Sequence, residues 1–292
     1  MPPDLFVGLV THPRTRFPEC SSESGLGPVV VRTLREAGLT VEWQVSGEDE
    51  WTPDLLPING QAVSAAISAE FEVEGRWRSY VSGAPLSLMD RLLLTARRLK
   101  RRVEQGPRGH RHLSDDDAGF RSVRRLANIE LSHMRLLRNA TASKAEWALI
   151  LEDDADAPDP EAFARNLHDF LIDRARHSQP RMLSLSESFT PTQLGIGHLI
   201  TPIHEDIPGA PWTLWASERP VTNTVCATLY RGDFLANMVQ HLERIPLSPI
   251  IPIDFKVNEA LMQMATSNSR GSCWLAHPAP LLQRSGVPKV HR

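Results

Sequence analysis

Residues 5–10 (Leu-Phe-Val-Gly-Leu-Val) carry no polar side chain and run straight into Thr11-His12-Pro13. An unbroken apolar run this short, closed by a turn signal, predicts a strand covered on both faces. A helix is expected over residues 28–38, opened by Pro28 and closed by Gly38, and residues 39–45 alternate as a second strand. Strand, loop, helix, strand implies a parallel sheet flanked by helices, because parallel neighbours need a crossover. The expected class is therefore α/β, with a Rossmann-like, mixed but mainly parallel sheet. Ligands of such sheets bind beyond the carboxyl ends of strands, here around residues 11–16 and 46–50.

Further strands are expected at 147–151, 182–186, 198–203, 224–230 and, last, 272–276. Helices are expected at 121–140, from Asp159-Pro160 onward, at 232–244 and at 255–265. Residues 106–118 are polar and glycine-rich and read as a loop. The length of 292 residues allows two domains, and 41% hydrophobic against 23% charged residues excludes disorder by composition. A net charge of -3 excludes a polycation built to coat nucleic acid. Cys20, Cys226 and Cys273 are odd in number and far apart, so they read as small buried hydrophobes in a reducing, cytoplasmic protein. The first residues lack a basic, signal-like start, and no stretch reaches the roughly 18 apolar residues of a membrane span.

Residues 84–105 place Leu86, Met89, Leu92, Leu93, Ala96, Leu99 and Val103 on one helical face and Arg91, Arg97, Arg98, Lys100, Arg101 and Arg102 on the rest. Two readings stand. The helix docks on the core with a solvated basic face, or it lies peripherally on an anionic membrane.

Glu152, Asp153, Asp154 and Asp156 fall within five positions, directly after the apolar run Trp147–Leu151. Carboxylates held this close repel one another unless a cation neutralises them. Oxygen ligands select hard ions such as Mg2+ or Mn2+, which keep open positions for phosphates. The alternative is a solvated acidic loop with Asp as a helix cap.

The segment Leu131-Ser132-His133-Met134, followed by Trp147-Ala148-Leu149-Ile150-Leu151-Glu152-Asp153-Asp154, resembles the family 25 glycosyltransferases, the lipopolysaccharide-type sugar transferases. Ala227-Thr228-Leu229-Tyr230-Arg231-Gly232 is similar to that family's strand-to-helix segment. Pro252-Ile253-Asp254, with Asn258-Glu259-Ala260-Leu261 after it, is similar to its acceptor-side element. The resemblance covers about 120–157 and 224–265; residues 50–118 have no counterpart in it. It implies one elaborated GT-A-like domain over 1–292, with the nucleotide-sugar side at about 1–157 and the acceptor side at about 180–292. It also implies a hexosyltransferase-type enzyme that moves sugar from a nucleotide-sugar donor to a glycan or glycolipid of the cell surface. Asp154 and Glu152 would hold Mn2+ or Mg2+, Glu152 would also contact the donor with Asp153 in support, and His277 would complete the metal shell. The competing reading is a non-catalytic GT-A-like protein that binds a nucleotide or a partner.

Sugar transfer with inversion needs a base for the acceptor hydroxyl and groups that hold the departing diphosphate. Asp254 is the candidate base, a role compatible with capping the helix that it opens, and Glu259 is the fallback. Thr11, Arg14 and Arg16 lie beyond the first strand, where arginine can grip phosphate through two hydrogen bonds. Glu48 and Asp49 lie beyond the second, in position for base or ribose. Arg125 and Asn128, on the helix before the acidic strand, face either the donor or solvent. His133 lies on that helix's apolar stripe and reads as a hydrogen-bonded core residue.

Overall fold

The computed structural model describes residues 3–12, 15–47, 60–105, 123–174, 180–187, 190–203, 212–222, 224–247, 251–265 and 271–284. Its strands are β1 (Leu5–Val10), β2 (Val41–Ser46), β3 (Trp147–Glu152), β4 (Ala155–Asp156), β5 (Met182–Ser184), β6 (Ser186–Glu187), β7 (Ile200–Pro202), β8 (Thr213–Ser217), β9 (Ala227–Arg231), β10 (Cys273–His277) and β11 (Leu281–Gln283). Its helices are α1 (Leu26–Glu36), α2 (Gly60–Ser82), α3 (Leu88–Gln105), α4 (Val123–Ser143), α5 (Pro160–Asp169), α6 (Gly232–Leu242) and α7 (Ile253–Met264). The fold is mixed α/β. Eight strands form one sheet in the order β2-β1-β3-β9-β5-β10-β8-β7, and β4-β11-β6 form a small second sheet.

β1 pairs in parallel with β2 and β3, and β5 with β10, while β9 and β8 are antiparallel to their neighbours. Six strands thus share a direction and two oppose it. The sheet is mainly parallel in strand direction, yet it is knitted across its middle by antiparallel ladders.

Side-chain alternation sorts the core into two layers. Leu5, Val7, Leu9, Trp147, Leu149 and Leu151 pack with α1 and α5 on one face. Phe6, Val10, Ala148 and Ile150 pack with α4, α6 and α7 on the other. Both β1 and β3 are therefore covered on both sides, which is why neither shows polar alternation. Local signals set several element ends as expected, although α1 begins at Leu26 behind Gly25, two residues ahead of Pro28. Asp159 accepts the Ala162 N–H at 2.8 Å as the cap of α5, with Pro160 in its first turn. Gly38 takes a φ of +97° just beyond α1. All three cysteines are buried and free.

The structure corrects the sequence reading in four places. α2 and β8 occupy stretches that carry no clear period, and β10 is followed by another strand, β11. The expected docking of the 84–105 helix through its apolar face is reversed. α3 packs on α2 through Leu94, together with Ile67, Phe71 and Leu86, and turns Leu88, Met89, Leu92, Leu93, Leu99 and Val103 outward. Among the described residues no helix is long and apolar enough to cross a membrane.

α7 is tied to α4 by a buried ion pair between Lys256 and Glu130, and Lys256 Nζ also donates to the Pro246 carbonyl at 2.7 Å. Burial pushes the Lys256 ammonium below its ordinary range, and Glu130 works against that shift. Lys256→Met alone strands a buried carboxylate and is expected to cost about 3–5 kcal/mol. Lys256→Met combined with Glu130→Leu should recover most of that loss, read as denaturant midpoints of the three proteins.

Candidate active site

β2 lies on one side of β1 and β3 on the other, so the chain's crossovers diverge between β1 and β3. Their ends are level, with Val10 opposite Glu152. A crevice opens at the carboxyl ends of strands at such a divergence, where no crossover covers it. A cavity of about 180 Å³ lies there, lined by Val10, Thr11 and His12 after β1, Glu152, Asp153 and Asp154 after β3, and Pro252, Ile253 and Asp254 at the start of α7; Leu126 and Ile129 of α4 and Gln283 of β11 complete it.

Thr11 Oγ1 donates to Asp153 Oδ2 at 3.3 Å, joining the two strand ends. Thr11 N–H donates to the Ser46 carbonyl at 2.9 Å, and Gly47 makes that approach feasible. A Cβ at position 47 would lie 2.6 Å from Thr11 Cγ2. Glu152 Oε1 meets His133 Nε2 at 2.9 Å. Burial lowers the pKa of His133 to about 4, so at neutral pH it is an uncharged imidazole that holds its proton on Nε2 for the carboxylate. His133 is buried on the α4 stripe as expected, and its ring orients the first acid of the cluster.

Asp154 is 6% exposed. Its Oδ2 accepts from Gln283 Nε2 at 3.3 Å, its Oδ1 from the Cys226 thiol at 3.4 Å, and its carbonyl from the Arg284 N–H at 2.9 Å. β11 pairs with β4 immediately after the acids, so the Glu152–Asp154 turn is pinned by a strand about 130 residues away. Arg284 adds an ion pair to Asp156 at 2.7 Å and sits over the Phe17 ring at 5.5 Å.

Glu152, Asp154 and Cys226 offer ligand atoms that all lie within 4.8 Å of one another. Burial, and then the charges of Asp154 and Glu152, push the Cys226 thiol well above its ordinary range. Cys226 is thus a protonated donor to Asp154 rather than a thiolate. The remaining donor set is two carboxylates, which fits a hard divalent ion of the Mg2+ or Mn2+ kind.

Asp254 stands in the first turn of α7 and lines the cavity. The residue at the cap position is Pro252, and Asp254 instead accepts the Val225 N–H at 2.9 Å. One turn on, Asn258 accepts the Thr222 N–H at 3.0 Å and donates to its carbonyl at 3.2 Å. α7 therefore holds the segment leading into β9 by two side chains. Burial above all, and then the Glu152 carboxylate, raise the Asp254 pKa to about 6.

The other expected site residues separate from this group. Glu259 faces α2, where it accepts from Arg76 Nε at 3.2 Å and Gln263 Nε2 at 3.3 Å, so it ties helices together. His277 is exposed at the end of β10, 3.4 Å from Glu187 and edge-on to Trp215, and it is not part of the Glu152/Asp154 cluster. Asn128 is buried in α4, whose cavity-facing residues are Leu126 and Ile129. Arg16 is exposed and is not among the described residues that line the cavity. Arg14, Glu48, Asp49 and the side chain of Arg125 lie outside the described residues. Sequence reasoning missed Cys226, Gln283 and His12. Cys226 carried a signal, since it directly precedes the Ala227–Gly232 segment, whereas a lone Gln at the end of a short strand carries none.

The raised pKa of Asp254 has a testable sign. Its folded value, about 6, lies above the ordinary 3.8, so the folded protein binds this proton more tightly. The stability that this proton lends is full below pH 4 and lost as pH rises through 6. Asp254→Asn, which keeps an acceptor for Val225, should nearly match the native protein near pH 4 and exceed it by about 3 kcal/mol at pH 7.5 in denaturant melts. No protein-family model and no curated protein matches the chain, so the chemistry of the site is read from its residues.

Proposed function

We propose that the chain is a metal-dependent glycosyltransferase of GT-A-like fold, which moves a sugar from a nucleotide-sugar donor to a glycan or glycolipid hydroxyl with inversion. One observation carries the reading. The two segments that resemble family 25 glycosyltransferases lie about 100 residues apart, and they meet at one cavity, Glu152-Asp153-Asp154 from β3 facing the Asp254 turn of α7. The cavity also lies at the strand divergence where α/β sheets bind nucleotides.

The electrostatics support a need for a cation. Four carboxylates and no Lys or Arg stand among the described residues lining the cavity. A diphosphate brought against that wall alone would be repelled. Glu152 and Asp154 would hold Mg2+ or Mn2+, which when bound offsets the negative charge of the leaving diphosphate. Thr11 and Asp153 keep the two strand ends together beneath the donor. His133, Cys226 and Gln283 hold the acid oxygens in place, so little reorganisation accompanies transfer. Asp254 takes the proton of the acceptor hydroxyl. Its pKa of about 6 leaves it ionised at neutral pH and more basic than an ordinary carboxylate. Leu126, Ile129 and Ile253 give the cavity an apolar wall that limits competing attack by water.

Thermal unfolding in the presence of UDP-, GDP- and dTDP-sugars, with and without Mn2+, tests the reading. One donor class should raise Tm by a few degrees (about 2.7 kcal/mol at a hundred times Kd), and only with the metal. Asp154→Asn should remove the shift, while Asp254→Asn should keep it and lose transfer. Absence of stabilisation by every nucleotide sugar at millimolar concentration would sink the proposal.

A further inference from the structure

The outward face of α3 has no counterpart elsewhere among the described residues. Leu88 and Val103 are 76% and 74% exposed, and Met89, Leu92, Leu93 and Leu99 between 55% and 65%. At 100° per residue these six side chains and Ala96 fall within an arc of about 140°, along a helix of about 27 Å. Leu94, the one buried leucine, lies on the opposite side, and it alone of α3 joins the cluster formed with α2. An amphipathic helix normally turns its apolar arc to the core. Here the sequence supplies such an arc and the fold turns it to solvent. An exposed apolar stripe of this length marks an interaction surface.

The charges around the stripe select its partner. Between Leu88 and Gln105 stand six basic side chains (Arg91, Arg97, Arg98, Lys100, Arg101 and Arg102) and two acidic ones (Asp90 and Glu104), a formal +4. Arg91 flanks the arc on one side and Lys100 falls within its other edge, between Met89 and Leu93, while Arg102 turns to α2, where its Nη2 donates to Ser68 Oγ at 2.5 Å. Long basic side chains beside an apolar stripe can lie along it and reach upward to anionic groups. A second copy of the helix would bring +4 against +4, which opposes self-association. Fixed ion pairs to the body engage part of the opposite side, where Arg97 Nη1 meets Glu74 Oε1 at 2.8 Å.

We propose that α3 is a membrane-docking element that lays its leucine stripe into the surface of an anionic bilayer, with the flanking Arg and Lys on lipid phosphates. The helix lies in the interfacial plane and does not cross the bilayer. α2 joins it to the body through the Arg76–Glu259 contact with α7, the helix that carries Asp254. This assignment does not depend on the chemistry of the cavity.

Vesicle flotation of the full chain tests it, using phosphatidylcholine alone and phosphatidylcholine mixed with phosphatidylglycerol. Binding is expected only to the mixed vesicles and should weaken with added salt. The double variant Leu92→Glu/Leu99→Glu, exposed and so expected to fold with an unchanged Tm, should lose at least about tenfold in vesicle binding. Arg91→Glu/Lys100→Glu should lose a similar factor while keeping its stripe. Failure of the native chain to float with anionic vesicles overturns the proposal, as does binding that neither variant weakens. A concentration-dependent dimer abolished by Leu92→Glu/Leu99→Glu would also overturn it, assigning the face to a second copy. Retention on immobilised polyglutamate without any vesicle binding would overturn it in favour of an acidic protein.

Discussion

The molecule turns on β3, hydrogen-bonded along both edges and packed on both faces. β1 runs parallel on one side, β9 antiparallel on the other, and two separate apolar layers meet across it. A strand held this way cannot slip by one residue, because a slip would send every side chain to the wrong layer. The position where it emerges from the sheet is equally determined. Glu152 is its last residue and Asp153 and Asp154 are the first beyond it, so an acidic cluster begins where the most constrained segment ends.

Placing acids there has a cost that the neighbouring residues absorb unequally. Asp154 is nearly enclosed, and an amide, a thiol and the strap after β11 all direct donors at it. Glu152 has a neutral imidazole. Asp254 accepts a backbone N–H from Val225 and feels Glu152 nearby, and burial raises its pKa. Three acids around one cavity thus differ in environment, and difference in environment separates a charge-holding role from a proton-accepting one.

Much of the frame was legible because it is written in local periods. β1, α1, β3 and α5 each carry apolar runs or cap residues that work within a dozen positions, and the strand-end acids follow from β3 itself. α2 was not legible, since its apolar residues are shared between two small clusters and form no single stripe. The reversal of α3 was illegible for a different reason. Period shows that a helix has an apolar face, but which face meets the body depends on what α2 offers, and it offers a socket for Leu94. Gln283 and the pairing of β11 with β4 are contacts across the chain that no window of residues contains. Glu259 and His277 have the chemistry of site residues, but a helical turn separates Glu259 from Asp254, and the end of β10 carries His277 toward Glu187.

The strap formed by Gln283 and Arg284 has a consequence for how the cavity comes into being. Its walls derive from the first strand, the middle of the chain, the start of α7 and the last described strand, so no contiguous stretch contains them. Contacts so distant in sequence close long loops, an entropic cost that the folded chain must offset. A molecule that occupies the cavity is therefore gripped by residues 10–12 and by Gln283 at once. Occupancy becomes a clasp on the entire fold rather than on one region of it.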